Sequence, residues 1–164
     1  MTKSISKELA EKVAVELATL GFTLFKGIVY QIAPDYRPEN GILLQGTAAF
    51  PFVSLTFVLP ETFIIEESFN SSSAMNRPMS VALIADKAIV QIDPDPYAKY
   101  RQDAMRIIHM NRFRGEFTSD PNSCMFHATV RPGSPIQQSS WLQYTKFVSS
   151  FDILFRTDEA NTVT

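Results

Sequence analysis

The chain has 164 residues, of which 15 are Lys or Arg and 17 are Asp or Glu, so its net charge is −2. This length predicts one domain with a core of its own. The near-neutral charge disfavours a protein that mainly coats nucleic acid or an anionic membrane. A single Cys excludes an internal disulfide and a cysteine-based zinc site. Thirteen Phe residues with only 20% charged residues indicate surplus apolar surface, which is typical of a permanent assembly.

The N-terminal segment predicts an amphipathic helix. Ser4 or Ser6 can cap its start, and Gly21 can end it without a Cβ clash. The opening residues 1–7 are polar, so we expect no secretory leader and an intracellular protein. A helix with one apolar face needs one layer to pack on, so we expect it to lie on a sheet. The apolar face consists of Ile5, Leu9, Val13, Leu17 and Leu20.

Residues 22–68 predict β structure. Strands are expected at 23–33 and 42–45, separated by a turn-rich segment at 34–41. Residues 41–60 are uncharged, but polar and turn-forming residues interrupt them, which favours a strand over a membrane span. Residues 52–68 predict a long β-hairpin that turns at Pro60 and Glu61, within an arm of about residues 50–69. The candidate interface residues on this arm are Phe50, Phe52, Val53, Leu55, Phe57, Leu59 and Phe63.

The middle of the chain predicts a polar loop at 70–77, strands at 79–85 and 88–92, and a second helix over 97–114. Asp95 is the expected N-cap of this helix, Pro96 its first residue and Gly115 its stop. The helix is locally basic, which permits contact with phosphate groups, although a solvated or interface-facing helix explains the charges as well. The candidate DNA- or partner-facing residues are Lys99, Arg101, Arg106, Arg112 and Arg114.

The last third predicts a strand at 125–130, a break at 132–135, a polar loop at 137–140 and a strand at 144–156. A helix also fits residues 144–156, but their β-branched and aromatic content favours the strand. Residues 158–164 are expected to form a polar tail. The predicted fold is therefore α+β: one domain over residues 1–157, with a mostly antiparallel sheet, two helices packed on it and a hairpin arm.

No pattern in the sequence indicates catalysis, a cofactor or a metal. Cys124 and His127 are three residues apart on a predicted strand, where they would point to opposite faces. Neither a serine-nucleophile motif nor a glycine-rich phosphate loop is present. The adjacent carboxylates Glu66 and Glu67 would also face opposite sides of a strand, and acid–base catalysis needs groups that converge. We therefore predict a protein that is not an enzyme.

The order of the elements resembles one family of bacteriophage proteins. The resemblance consists of the N-terminal helix ending in glycine, the turn Ala33-Pro34-Asp35, the strand at 41–46, an Arg77-Pro78 step into a strand, the second helix, the loop at 133–138 and an aromatic strand at 149–156. This order is similar to that of the tail terminator proteins of tailed phages, also described as tail-completion, neck or minor capsid proteins. The hairpin arm would be an insertion relative to compact members of that family.

The resemblance implies a structural protein of the virion, located in the tail neck and assembled in the host cytoplasm. It implies a homo-oligomeric ring, taken as a hexamer, on the last ring of the tail tube. The ring would stop tube growth and offer a surface to the head-side connector or stopper protein, and DNA would pass through its lumen. Two alternatives stay open: a nucleic-acid-binding accessory protein that uses helix 97–114, and an adaptor or secretion-chaperone-like binding protein.

Overall fold

The computed structural model describes residues 3–21, 23–31, 51–56, 62–63, 72–110 and 114–160. These residues form four helices and seven strands, so the α+β prediction is confirmed. The elements in chain order are α1 (Ile5–Ala18), β1 (Ile28–Gln31), β2 (Phe52–Thr56), β3 (Thr62–Phe63), β4 (Ser72–Asp86), α2 (Lys87–Ile92), α3 (Asp95–His109), β5 (Gly115–Glu116), β6 (Cys124–Pro132), α4 (Gln138–Gln143) and β7 (Lys146–Ala160).

Helix α1 forms as its sequence predicts. The Oγ of Ser4 accepts a hydrogen bond of 3.1 Å from the N–H of Lys7, which satisfies one of the unpaired donors of the first turn. Leu9, Val13 and Leu17 are completely buried, so the predicted apolar face is the one that packs. The chain leaves the helix through Gly21, whose φ of 78° lies in the left-handed region that glycine tolerates best.

The strands form one sheet in the order β1-β2-β4-β7-β6-β5, and β3 also pairs with β4. All pairings are antiparallel except that of β1 with β2, which is parallel. Along β7 the side chains alternate, with Phe151, Ile153 and Phe155 completely buried and their neighbours half-buried. The buried side chains of α1, α3 and this face of the sheet form a single core cluster.

The predicted hairpin over residues 52–68 is wrong. Strands β2 and β3 both pair antiparallel with β4, with Phe52 opposite Ile84 and Thr62 opposite Asn76, so they run along β4 in the same direction. The chain therefore has the same direction in β2 and β3 and the opposite direction in β4, whereas a hairpin would have made β2 and β3 antiparallel. An alternating apolar pattern predicts a strand without naming its partner, and proline interrupts a strand as readily as it begins a turn.

Three further segments differ from the sequence prediction. Residues 72–77 of the predicted loop form the first part of β4, where they pair with the end of β7. Residues 88–92 lie in helix α2 and not in a strand, and residues 138–140 begin helix α4 and not a loop. Short apolar or polar runs carry little periodic information, so tertiary pairing decides their conformation. The predicted strand at 42–45 lies outside the described residues.

The ends of the second predicted helix and of the last predicted strand also differ. Helix α3 begins at Asp95, with Pro94 and not Asp95 at the N-cap, and it ends at His109. Met110 and Arg114 are therefore not part of it, and residues 111–113 lie outside the described part. Strand β7 confirms the predicted strand but continues to Ala160, so the predicted tail is wrong for residues 158–160. The side chain of Glu159 is buried there because Arg77 pairs with its carboxylate. Residues 161–164 lie outside the described part.

At Gly133, just after β6, the chain passes close to the backbone of β7. A Cβ at this position would lie 2.6 Å from the carbonyl oxygen of Ser150, which is backbone and cannot move aside easily. We expect Gly133→Ala to lower the free energy of unfolding by about 1–3 kcal/mol, as overpacking does. Gly27→Ala is the control, because a Cβ there meets nothing within 4 Å. Urea unfolding measures both, and equal stabilities would contradict the described approach.

Candidate functional site

A pocket of about 500 Å³ lies where α2, α3 and α4 meet β7. Its walls are mostly apolar and include Val90, Ile136, Trp141 and Phe147. Concave, largely apolar pockets of this size are the usual location of ligand and partner contacts. The pocket is therefore the main candidate for a functional site in the described part of the chain.

The unequal lengths of β6 and β7 create this pocket. Strand β6 ends at Pro132, opposite Phe151, whereas β7 begins earlier, at Lys146. Residues 134–137 take the place of the missing strand: Ser150 donates its N–H to the carbonyl of Ser134 at 2.9 Å, and Gln137 donates to the carbonyl of Val148 at 2.9 Å. This irregular segment leads directly into α4.

Helix α2 closes the other side of the pocket. The N–H of Lys87 donates to the carbonyl of Thr145 at 3.0 Å, which fixes the start of α2 beside the start of β7. The ammonium of Lys87 lies 4.8 Å from the centroid of the Trp141 ring, a cation–π contact between α2 and α4. The two short helices are thus held together at the mouth of the pocket.

The segments around the pocket carry most of the exposed apolar side chains. Six large apolar side chains are exposed among the described residues, and four of them lie on α2, α4 and the segment between β6 and α4. Single exposed apolar residues are ordinary, but a concentration on neighbouring segments marks an interaction surface. We call this the apolar rim; it consists of Ile89 (45% exposed), Ile92 (85%), Ile136 (51%) and Leu142 (66%).

Two polar groups of the pocket have no hydrogen-bond partner. Arg101 donates from one terminal nitrogen to the carbonyl oxygen of Ser150 at 3.1 Å, but its Nε is buried without a partner. The Oγ of Ser149, a completely buried residue, is likewise without one. Burial lowers the pKa of the Arg101 guanidinium from its ordinary value. No described residue that lines the pocket is acidic.

The predicted interface on residues 50–69 is wrong where the structure describes its side chains. Val53 and Leu55 are completely buried in the core, because β2 is an inner strand between β1 and β4. Phe52 and Phe63 lie in β2 and β3. Phe50, Phe57 and Leu59 lie outside the described residues. Val53 and Leu55 are therefore not available to a partner in this structure.

The structure places the predicted basic residues in different surroundings. Lys99 is exposed and pairs with Asp103 at 2.7 Å, whereas Arg101 lines the pocket. Arg106 lines a separate open groove between α3 and β6. Arg114 is exposed but lies beyond the end of α3, so its predicted place on the helix is wrong. Arg112 lies outside the described residues.

Cys124 and His127 lie on one face of β6, contrary to the prediction that they diverge. A bulge between Met125 and His127 places Cys124 opposite Asp158 and His127 opposite Arg156, and these partners are two residues apart on β7. Burial raises the pKa of the Cys124 thiol, and the neighbouring carboxylates raise it further, so the neutral thiol is favoured. In the described part of the chain, no cluster of His, Cys, Asp and Glu could hold a metal ion.

Glu8 is a buried carboxylate that the sequence analysis does not single out, because it lies outside the predicted apolar face of α1. It accepts hydrogen bonds from the N–H of Ser119 at 2.7 Å, and from the hydroxyl and N–H of Thr118 at 2.8 and 3.0 Å. Burial alone would raise its pKa, but these hydrogen bonds outweigh burial and lower the pKa to about 2. Glu8 therefore ties α1 to the loop after β5.

No protein-family profile and no curated protein sequence matches the chain. Among the described residues, no helix is both long and apolar enough to cross a membrane.

The hydrogen bonds that Glu8 accepts predict how the free energy of unfolding depends on pH. Its pKa is lower in the folded chain, at about 2, than the ordinary value of 4.5. The stabilisation is therefore complete above pH 4.5 and is lost as the pH falls towards 2. We expect Glu8→Gln to cost roughly 2 kcal/mol at neutral pH, because an amide cannot accept all three hydrogen bonds.

Urea unfolding between pH 2 and 7 measures this dependence, and Glu11→Gln is the matched control. Glu11 lies on the same helix and pairs with Lys3, but both side chains are exposed, so water screens this pair and it contributes little to stability. The Glu8→Gln variant should lose less stability than the wild type between pH 4.5 and 2. Parallel pH curves for these two proteins would contradict the assignment.

Proposed function

We propose that this protein is a structural subunit that acts by contact with copies of itself and carries out no catalysis. The observation that supports this most directly is the apolar rim around the pocket. Ile92 and Leu142 are 85% and 66% exposed, which leaves apolar area in contact with water that a second subunit could cover. Removing apolar surface from water stabilises an interface by about 25 cal/mol for each Å² that becomes buried.

The resemblance to phage tail terminator proteins gives this subunit a specific task. In this proposal the copies form a ring, taken as a hexamer, at the head-proximal end of the tail tube. The apolar rim of one copy contacts a different surface of the next, because a ring requires head-to-tail contacts that close. The ring ends tube growth and binds the tail tube protein on one side and the head-side connector on the other.

Passage of DNA through the ring suits the composition of the chain. A net charge of −2 gives the subunit no general attraction to phosphate. The predicted basic helix adds little to this, since Lys99 pairs with Asp103 and Arg101 lines the pocket. We therefore favour the ring over the nucleic-acid-binding alternative. In the adaptor alternative, the same apolar rim binds a different protein instead of a second copy of this chain. The experiment below distinguishes this alternative from the ring.

Light scattering during size-exclusion chromatography tests the proposal. We expect the wild type to assemble into a ring and Ile92→Glu combined with Leu142→Glu to give the monomer, because buried carboxylates at the rim would be costly. Val15→Glu is the matched control. Val15 is 66% exposed, like Leu142, but lies on α1, away from the rim.

Two results together would refute the ring. The wild type would stay monomeric over the accessible concentration range, and deleting the protein from the phage would change neither tail length nor head joining. Equal effects of the Val15 and rim variants would refute the location of the interface. A stable complex with one non-virion protein, formed through the rim, would favour the adaptor instead.

A further inference from the structure

A second apolar surface lies at the end of helix α3, whereas the apolar rim lies near its start. It is the open groove between α3 and β6, with a volume of about 490 Å³. Met110 follows α3 directly and is 63% exposed. Methionine side chains adapt to partners of different shapes, so this groove suits contact with a protein. The other residues that line the groove are Met105, Arg106, His109, Val130 and Pro132.

Helix α2 carries an apolar face that fits such a groove. Ile89 and Ile92 are three residues apart, so they lie on one face of the helix, and they are 45% and 85% exposed. Val90, on another face, is buried and holds α2 against its own subunit. An exposed apolar helix face that enters an apolar groove is a common mode of protein recognition. We call Ile89 and Ile92 the α2 face.

We propose that the α2 face of one copy occupies the groove between α3 and β6 of the next copy. This inference rests on the proposed function, to which it adds the two surfaces that meet. One chain cannot make this contact with itself, because α3 lies between the two surfaces and its 15 residues span about 22 Å. Each contact leaves an uncovered α2 face at one end and an uncovered groove at the other, so copies are added until a ring closes.

The charges beside the two surfaces have opposite signs. Asp93 and Asp95 are exposed and directly follow the α2 face, whereas Arg106 is exposed and lines the groove. No described residue that lines the groove is acidic. Opposite charges at the edges of two surfaces favour their contact and disfavour the contact of each surface with its own kind. The α2 face of a second copy is therefore a better occupant of the groove than a second groove.

A mixture of two full-length variants tests the contact. Met110→Glu damages the groove only, and Ile92→Glu damages the α2 face only. We expect each variant alone to be monomeric, because assembly would bury a carboxylate without a partner. The mixture should form a 1:1 dimer through the one intact pair of surfaces, which light scattering measures. Val15→Glu is the control, because Val15 is 66% exposed on α1, and it should assemble like the wild type.

The outcomes separate this contact from the proposed function. A wild type that forms a ring, with Met110→Glu assembling as well as Val15→Glu, would overturn the contact and leave the ring standing. A wild type that stops at a dimer and is sensitive to both substitutions would support the contact and refute the ring. A wild type that stays monomeric would overturn both. Pro132→Glu, at an exposed residue of the same groove, replaces Met110→Glu if that variant is poorly folded.

Reversal of the charges tests which surfaces meet. Asp93→Arg and Arg106→Asp should each weaken assembly about fivefold at low salt, since each brings like charges together. The double variant should recover to within about twofold of the wild type, because opposite charges face each other again. Arg106 also lies in the last turn of α3, where it suits the helix dipole. A dipole effect acts within one copy, so it would not recover in the double variant, and the absence of recovery would overturn the proposal.

Discussion

The pairing of β4 with β7 is the interaction on which the rest of the fold depends. Both strands have 15 residues, and they pair along their whole length, from Ser72 opposite Ala160 to Asp86 opposite Lys146. The other strands join the sheet through these two. Strands β2 and β3 pair with β4, and β6 pairs with β7, while β1 and β5 pair in turn with β2 and β6. A slip of one residue would move Phe151 and Phe155 from the buried face to the other face, so the core requires this register.

Ion pairs near both ends of this strand pair reinforce the register. Arg77 on β4 donates from Nε and a terminal nitrogen to the two carboxylate oxygens of Glu159 on β7, at 2.6 Å each. Glu159 also accepts from the hydroxyl of Thr157 at 2.5 Å, so its buried charge is well satisfied. At the other end Lys146 pairs with Asp86. A buried pair of this kind contributes specificity more than net stability, since any other register would leave its charges unpaired.

Features set by local sequence could be predicted, whereas those set by partners could not. The apolar spacing of α1 depends on residues within the helix and predicts its buried face correctly. The same local sequence offers Ser4 and Ser6 as caps, and Ser4 is the one that caps the helix. Burial of Glu8 depends on the distant backbone of Ser119, which no local pattern encodes. Residues 158–160 look like a polar tail because no local pattern shows that Glu159 forms an ion pair with Arg77 on the neighbouring strand.

Prediction from local sequence has the same limit at the candidate site. Val53 and Ile92 are both apolar residues in short apolar runs, but one is completely buried and the other is 85% exposed. The difference comes from position in the sheet: β2 is an inner strand, whereas α2 is a short helix outside it. An apolar pattern measures how strongly a segment avoids water and does not say whether its own chain or another molecule will cover it. Only the strand order separates the two cases.

The unequal lengths of the strands connect this fold to its candidate site. Because β7 is longer than β6, five residues at its start, 146–150, lie beyond the end of β6 in the pairing register. Residues 134–137 satisfy part of that backbone, but an irregular segment cannot cover the neighbouring side chains as a full strand and its helix would. The short helices α2 and α4 cover what remains and leave a pocket between them. The same register that builds the core therefore also opens the surface from which the proposed function follows.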